Sequence, residues 1–141
     1  MWSHYSDGHR GYCLEFDKAG LSKFDFCDSV KYRETYPDVK NFESSTDTVR
    51  DLFVLSKSNH WEYEKEWRVV VDTHGNPNTP GSRHYEYPEE LLTGIIFGCE
   101  MPQEDRKKIR DWLKYRKTPI KYYKAVKKDD EYGLDIKDFI F

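Results

Sequence analysis

Glu64, Glu66 and Arg68 fall on alternate positions of Trp61-Glu62-Tyr63-Glu64-Lys65-Glu66-Trp67-Arg68-Val69-Val70-Val71-Asp72. In an extended chain, alternate side chains project from one face, so the two carboxylates stand side by side. Like charges that close raise one of the two pKa values, which suits general acid–base work. The plainer reading pairs Glu66 with Arg68 or a neighbouring Lys on a solvated face, because structural ion pairs also perturb pKa values. Arg68 either clamps a phosphate with its planar fork or forms a structural pair with a carboxylate.

A second group, His4, Tyr5 and His9, lies just ahead of Gly11 and Cys13. His and Cys are zinc ligands, but this spacing matches no common zinc pattern, so the expectation is no metal. His4 and His9 either fix a turn by hydrogen bonds or line the same cleft as Glu66. The chain has no Gly-x-Ser-x-Gly nucleophile motif. Gly94 and Gly98 flank an apolar strand and open no phosphate-cradling loop. The basic run from Arg106-Lys107-Lys108 to Lys117, continued by Lys121, Lys124, Lys127 and Lys128, is the one local positive patch. It reads as a solvated face. The interleaved Tyr115, Tyr122 and Tyr123 leave open a nucleic-acid contact through Lys107, Lys108, Lys121 and Lys124, or an acidic protein partner.

These residues need elements to hold them. Trp67, Val69 and Val71 alternate with Glu66, Arg68 and Val70, which predicts a strand with the apolar set in the core. Residues 1–10 carry Trp2, Tyr5 and His9 at helical spacing and predict a short helix ended by Gly11. Tyr12–Phe16 and Ser29–Arg33 read as strands, with a helical turn between them. Residues 34–45 are a loop, and Thr46 to Ser56 is a helix with Val49, Leu52 and Phe53 on its apolar stripe. Residues 73–83 are the clearest loop, with two Gly, two Pro and two Asn. His84–Tyr87 reads as a short strand, Pro88–Leu92 as a helical turn, and Thr93–Gly98 as a buried strand. Pro102 opens a helix reaching about Arg116, with Ile109, Trp112 and Leu113 as its core stripe. Ile120–Val126 is a Tyr-rich strand. The apolar tail, Ile136, Phe139, Ile140 and Phe141, should pack. The sum is an α+β fold with a mixed or antiparallel sheet of about five to seven strands and three or four helices.

At 141 residues the chain reads as a single domain over 1–141. Aromatic residues make up 16% of it, which argues against disorder. A net charge of −3 gives no global push toward nucleic acid or an anionic membrane. No apolar run approaches the roughly 20 residues of a membrane helix, and Met1-Trp2-Ser3-His4-Tyr5 is no signal peptide. The three cysteines, Cys13, Cys27 and Cys99, read as free thiols in a reducing cytoplasm.

Three pieces taken together resemble a known family. They are Trp2-x-His4-Tyr5-x-x-x-His9-x-Gly11-x-Cys13-Leu14-x-Phe16-Asp17, Trp61-x-Tyr63-Glu64-x-Glu66-Trp67-Arg68, and Gly94-Ile95-Ile96-Phe97-Gly98-Cys99 with the helix from Pro102. In this order they resemble the bacterial domain of unknown function 2971 family over roughly residues 1–115. Members of that family usually carry an earlier half with a Tyr-Arg strand and an Asn-Asp-Pro-Phe segment, so this chain is similar to the C-terminal portion. The family's layout is itself similar to the ADP-ribosyltransferase fold. That resemblance implies a late essential Glu at Glu66, assisted by Glu64, which stabilises a ribosyl cation drawn from NAD and orients the nucleophile, with Tyr5, His4, Arg68 and His9 around it. A relative without the front half instead suggests a binding or regulatory factor for a protein or nucleic acid, as in phage–host conflict. Nuclease chemistry is the weakest alternative, because the Glu-x-Arg pair lacks the Asp and Lys partners of metal-assisted cleavage.

Overall fold

A computed structural model describes residues 5–24, 26–38, 46–70 and 86–141. The fold is α+β, and the chain divides into two compact units: Met1–Gly20 with His84–Phe141, and Leu21–Arg83.

The first unit is built on a four-stranded mixed sheet. Its strands are β1 (Tyr12–Phe16), β6 (Leu92–Phe97), β7 (Lys121–Lys127) and β8 (Leu134–Asp138), in that spatial order. β1 runs antiparallel to β6, β6 parallel to β7, and β7 antiparallel to β8. The parallel step needs a crossover, and helix α3 (Gln103–Leu113) supplies it. Glu104 and Asp105 in its first turn suit the helix dipole. Ile95, Phe97, Met101 and Ile109 form the buried core, with Leu113, Ile120, Tyr122 and Phe139 packed against them. The tail packs through its aromatic rings: those of Phe139 and Phe141 meet that of Phe97 edge-on, and Tyr122 stacks on Phe97 at 5.9 Å. Ile140 is exposed. Gly98 lets the chain pass the turn at His9, because a Cβ there would lie 2.0 Å from the His9 carbonyl oxygen.

The second unit holds two small sheets. β2 (Phe26–Ser29) pairs antiparallel with β5 (Trp67–Val70), and β3 (Lys31–Arg33) pairs parallel with β4 (Ser56–Ser58). β2 runs into β3 through Val30, and one backbone bond extends each sheet there: Val30 N–H to Glu66 O at 2.9 Å beside the β2–β5 pair, and Lys31 N–H to Leu55 O at 2.6 Å beside the β3–β4 pair. Helix α1 (Lys18–Phe24) leads into this unit. Helix α2 (Thr46–Val49) continues into a π-helical turn at Arg50–Val54, and a 3-10 turn covers Asn59–Glu64.

Several expectations change. Eight strands are found among the described residues, because Ser56–Ser58 and Leu134–Asp138 add strands and the chain around Val30 is shared between two sheets. Residues 6–10 form turns with Asp7, Gly8 and His9 at positive φ, which no helix tolerates. His84 and Tyr85 lie outside the described residues, and Glu86 and Tyr87 form no strand. β5 alternates as expected, but its sides are reversed: Trp67 and Val69 are 48% and 42% exposed, while Arg68 and Val70 are half-buried. Val71 lies outside the described residues. Trp112, expected in the core, is 73% exposed, because Arg106, Ile109 and Leu113 take the inward face of α3.

Candidate functional site

Within the unit Leu21–Arg83, the chain reaches Glu64 in a 3-10 turn, so the extended geometry expected there is absent. Lys65 then takes a left-handed conformation, φ 46°, and its N–H bonds to the Glu62 carbonyl. This reversal stops the turn and aims the chain into β5. Glu66 is pinned by its backbone, its N–H donating to the Tyr32 hydroxyl oxygen at 2.8 Å. Tyr32 lies in β3 opposite Lys57 in β4. The register therefore delivers a lysine to the two carboxylates.

Lys57 Nζ sits between Glu64 Oε2 at 2.5 Å and Glu66 Oε2 at 3.0 Å. Arg68 closes the group from β5. Its Nε and Nη2 donate to the two oxygens of Glu66 at 2.7 and 3.3 Å, and its Nη1 donates to the Val54 carbonyl. Two cations thus balance two carboxylates. The Glu64 side chain is 5% exposed, and those of Lys57, Glu66 and Arg68 are sheltered to a lesser degree. The expectation that one carboxylate pKa rises is reversed at Glu66. The Arg68 guanidinium holds its carboxyl below the ordinary carboxylate range, and the Lys57 ammonium adds to this against the opposing effect of burial. Lys57 is pushed up in turn, first by Glu64 and then by Glu66, and Arg68 is pushed up by Glu66.

Lys57 also reaches a cleft of about 640 Å³. Arg33, Glu34, Tyr36, Phe53 and Trp61 line it, with the hydroxyls of Thr35, Ser56 and Ser58. Lys57 Nζ lies 5.1 Å from the centroid of the Trp61 ring, a cation–π contact. Arg33 differs from Lys57 in having no carboxylate partner among the described residues. Its Nε donates to Ser56 Oγ at 3.0 Å, and Ser56 Oγ donates to the Asp51 carbonyl at 2.9 Å. The guanidinium is therefore oriented through Ser56, while its terminal nitrogens make no ion pair among the described residues. The cleft can neutralise an anion at Arg33 and offer ring faces beside it.

Of the residues singled out in the sequence, Glu64, Glu66 and Arg68 come together, joined by Lys57. Tyr5 and His9 belong to the other unit, and His4 lies outside the described residues. Tyr5 is 70% exposed. His9 sits at φ 69°, its carbonyl accepting from Glu100 N–H at 3.1 Å, and its Nδ1 is buried without a partner among the described residues. No group of three potential metal ligands is found among the described residues. Lys107 and Lys121 are exposed, Lys124 is half-buried, and Lys108 is held by Asp105 at 2.8 Å. Lys57, Tyr32, Arg33 and Tyr36 carried no functional signal in the sequence: Tyr32 and Arg33 fall in the expected strand Ser29–Arg33, Tyr36 in the expected loop 34–45, and β4 around Lys57 is too short to show a period. Trp61 opens the motif Trp61-x-Tyr63-Glu64-x-Glu66-Trp67-Arg68, in which nothing about its spacing marks it as a cleft residue. Among the described residues, no helix is long and apolar enough to cross a membrane.

Residues 1–69 match the model of a family described as protein of unknown function (DUF2971). The family resemblance holds over that stretch, which contains the first two motifs and ends before the third, at Gly94–Cys99. No curated protein and no solved structure matches the chain.

Proposed function

We propose that this chain, whose residues 1–69 carry the DUF2971 match, is a ligand-binding module whose site is the cleft of the Leu21–Arg83 unit, and that the ligand is a small anion with a ring. The observation that carries the reading is the Arg33 guanidinium, held by Ser56 and without a carboxylate partner among the described residues, in a cleft lined by Tyr36, Phe53 and Trp61. Ligand sites are concave, largely apolar, and hold a few placed polar groups. An oriented guanidinium with free terminal nitrogens is the donor set that grips an oxyanion in two-pronged fashion.

The state of Glu66 speaks for binding over transferase chemistry. Three charge-assisted hydrogen bonds already occupy its carboxylate. A carboxylate has about four acceptor positions, so little capacity is left to hold a ribose hydroxyl. In the binding reading, Glu64, Glu66 and Arg68 are scaffold, and their work is to fix Lys57 against Trp61.

Calorimetric titration with phenyl phosphate tests the proposal, with Arg33→Gln as the comparison protein. Saturable binding that weakens tenfold or more in the variant supports it. Equal binding by both proteins, or none by the parent, overturns it. Transfer of label from NAD to protein targets, lost in Glu66→Gln at unchanged folded fraction, would restore the transferase reading.

A further inference from the structure

We infer that the ligand of this cleft is a nucleoside monophosphate, which rests on the binding reading above and narrows it to one chemical class. Three features of the cleft select the class. The first is the pairing of an anion grip with ring faces. Arg33 lies in the same lining as Trp61, which is 40% exposed beside Lys57 and Tyr63, and Tyr36, which is 97% exposed. Bases stack on aromatic faces whatever their identity, and the cations beside them take the phosphate. The second is the hydroxyl lining. Thr35 and Ser58, with the carboxylate of Glu34, offer acceptors and donors to a sugar between phosphate and base. The cleft volume of about 640 Å³ lies inside the range that encloses compounds of this size.

The third feature is charge, and it limits the number of phosphates. Lys57 is already balanced by Glu64 and Glu66. Arg33 is then the one cation of the lining left without a carboxylate among the described residues, and Glu34 stands in the same lining. One guanidinium can meet one phosphate. A polyphosphate chain would carry further negative charge past Glu34, with no further carboxylate-free cation among the described residues of the lining to receive it. The cleft therefore prefers a monophosphate to a triphosphate, and Glu34 sets that preference.

The test is calorimetric titration of the full chain with the four common nucleoside monophosphates, and with adenosine, ribose 5-phosphate, inorganic phosphate and ATP. At least one monophosphate should bind tenfold or more tighter than both adenosine and ribose 5-phosphate, and tighter than ATP. Arg33→Gln should erase the advantage of the monophosphate over adenosine. Glu34→Gln should bring ATP closer to the monophosphate. Trp61→Leu should weaken the monophosphate about tenfold and leave ribose 5-phosphate unchanged. Tyr36→Ala, at a position too exposed to affect folding, should weaken it in the same sense. Ribose 5-phosphate or inorganic phosphate binding as tightly as any monophosphate, and still through Arg33, overturns the nucleotide inference and leaves the anion cleft standing. Arg33-independent binding of every probe, or no binding, removes both.

Discussion

Replacing Glu66 by Gln takes one charge out of a neutral set of four and leaves Arg68 and Lys57 with Glu64 alone. The pair is sheltered, with side-chain exposure of 28% at Glu66 and 29% at Arg68, so it is worth more than a surface ion pair. Losing a hydrogen-bonded charge in such a place costs about 1–3 kcal/mol. Glu66→Gln should therefore lower the melting temperature, and an unchanged midpoint would contradict the scaffold role. The acid side gives a second readout. The folded-state pKa of Glu66 lies below its unfolded value. Its contribution is therefore complete above the unfolded carboxylate pKa of about 4.3, and is lost as pH falls through the lower folded value. Chemical denaturation at several pH values should show the parent losing this increment below about pH 4.3, and Glu66→Gln losing less.

Among the elements, β6 and α3 hold the core, and the fully buried Phe97 meets the rings of Tyr122, Phe139 and Phe141. Phe97→Ala should cost about 3–5 kcal/mol. Trp112→Ala on the same helix should stay within about 0.5 kcal/mol of the parent, because a surface position forfeits little burial. Denaturant midpoints for the two variants decide this, and equal losses would place Trp112 back in the core. The contrast shows what the sequence could convey. The apolar run at β6 and the spacing of Ile109 and Leu113 name their elements because a continuous or helical apolar pattern has one outcome. Trp112 and Trp67 fit the patterns equally well, but periodicity gives the phase of a strand or helix and not which side receives a neighbour. At β5 the side that carries Arg68 is the sheltered one, since Lys57 and the Val54 carbonyl supply partners for charge and the Tyr32 hydroxyl accepts from the Glu66 backbone N–H. None of those partners is adjacent in sequence. The pair Glu64 and Glu66 was legible as a pair, while Lys57 between them was not, because it arrives through the β3–β4 register.

At the scale of the whole molecule, the buried apolar residues among those described are unevenly shared. Among the described residues, Leu91, Leu92, Ile95, Phe97, Met101, Ile109 and Ala125 are buried in the first unit, against Val30 and Leu55 in the second. Apolar burial is the main favourable contribution to folding, so opening the second unit should cost less free energy than opening the first. Amide hydrogen exchange should show this directly. Protection at β6, β7 and α3 should approach that of global unfolding, while β3, β4 and β5 exchange through a lower-energy opening. The cleft's lining falls within the unit expected to open more readily, which would make exchange a sensor of its ligand. A ligand at 100 times its Kd stabilises the state that binds it by about 2.7 kcal/mol. Saturating nucleoside monophosphate should therefore slow exchange at Tyr32, Arg33, Lys57 and Ser58 by up to about a hundredfold, with β7 unchanged so long as the first unit stays the more stable. Slowing confined to β6 and β7 would place the ligand in the first unit and defeat the assignment of the cleft.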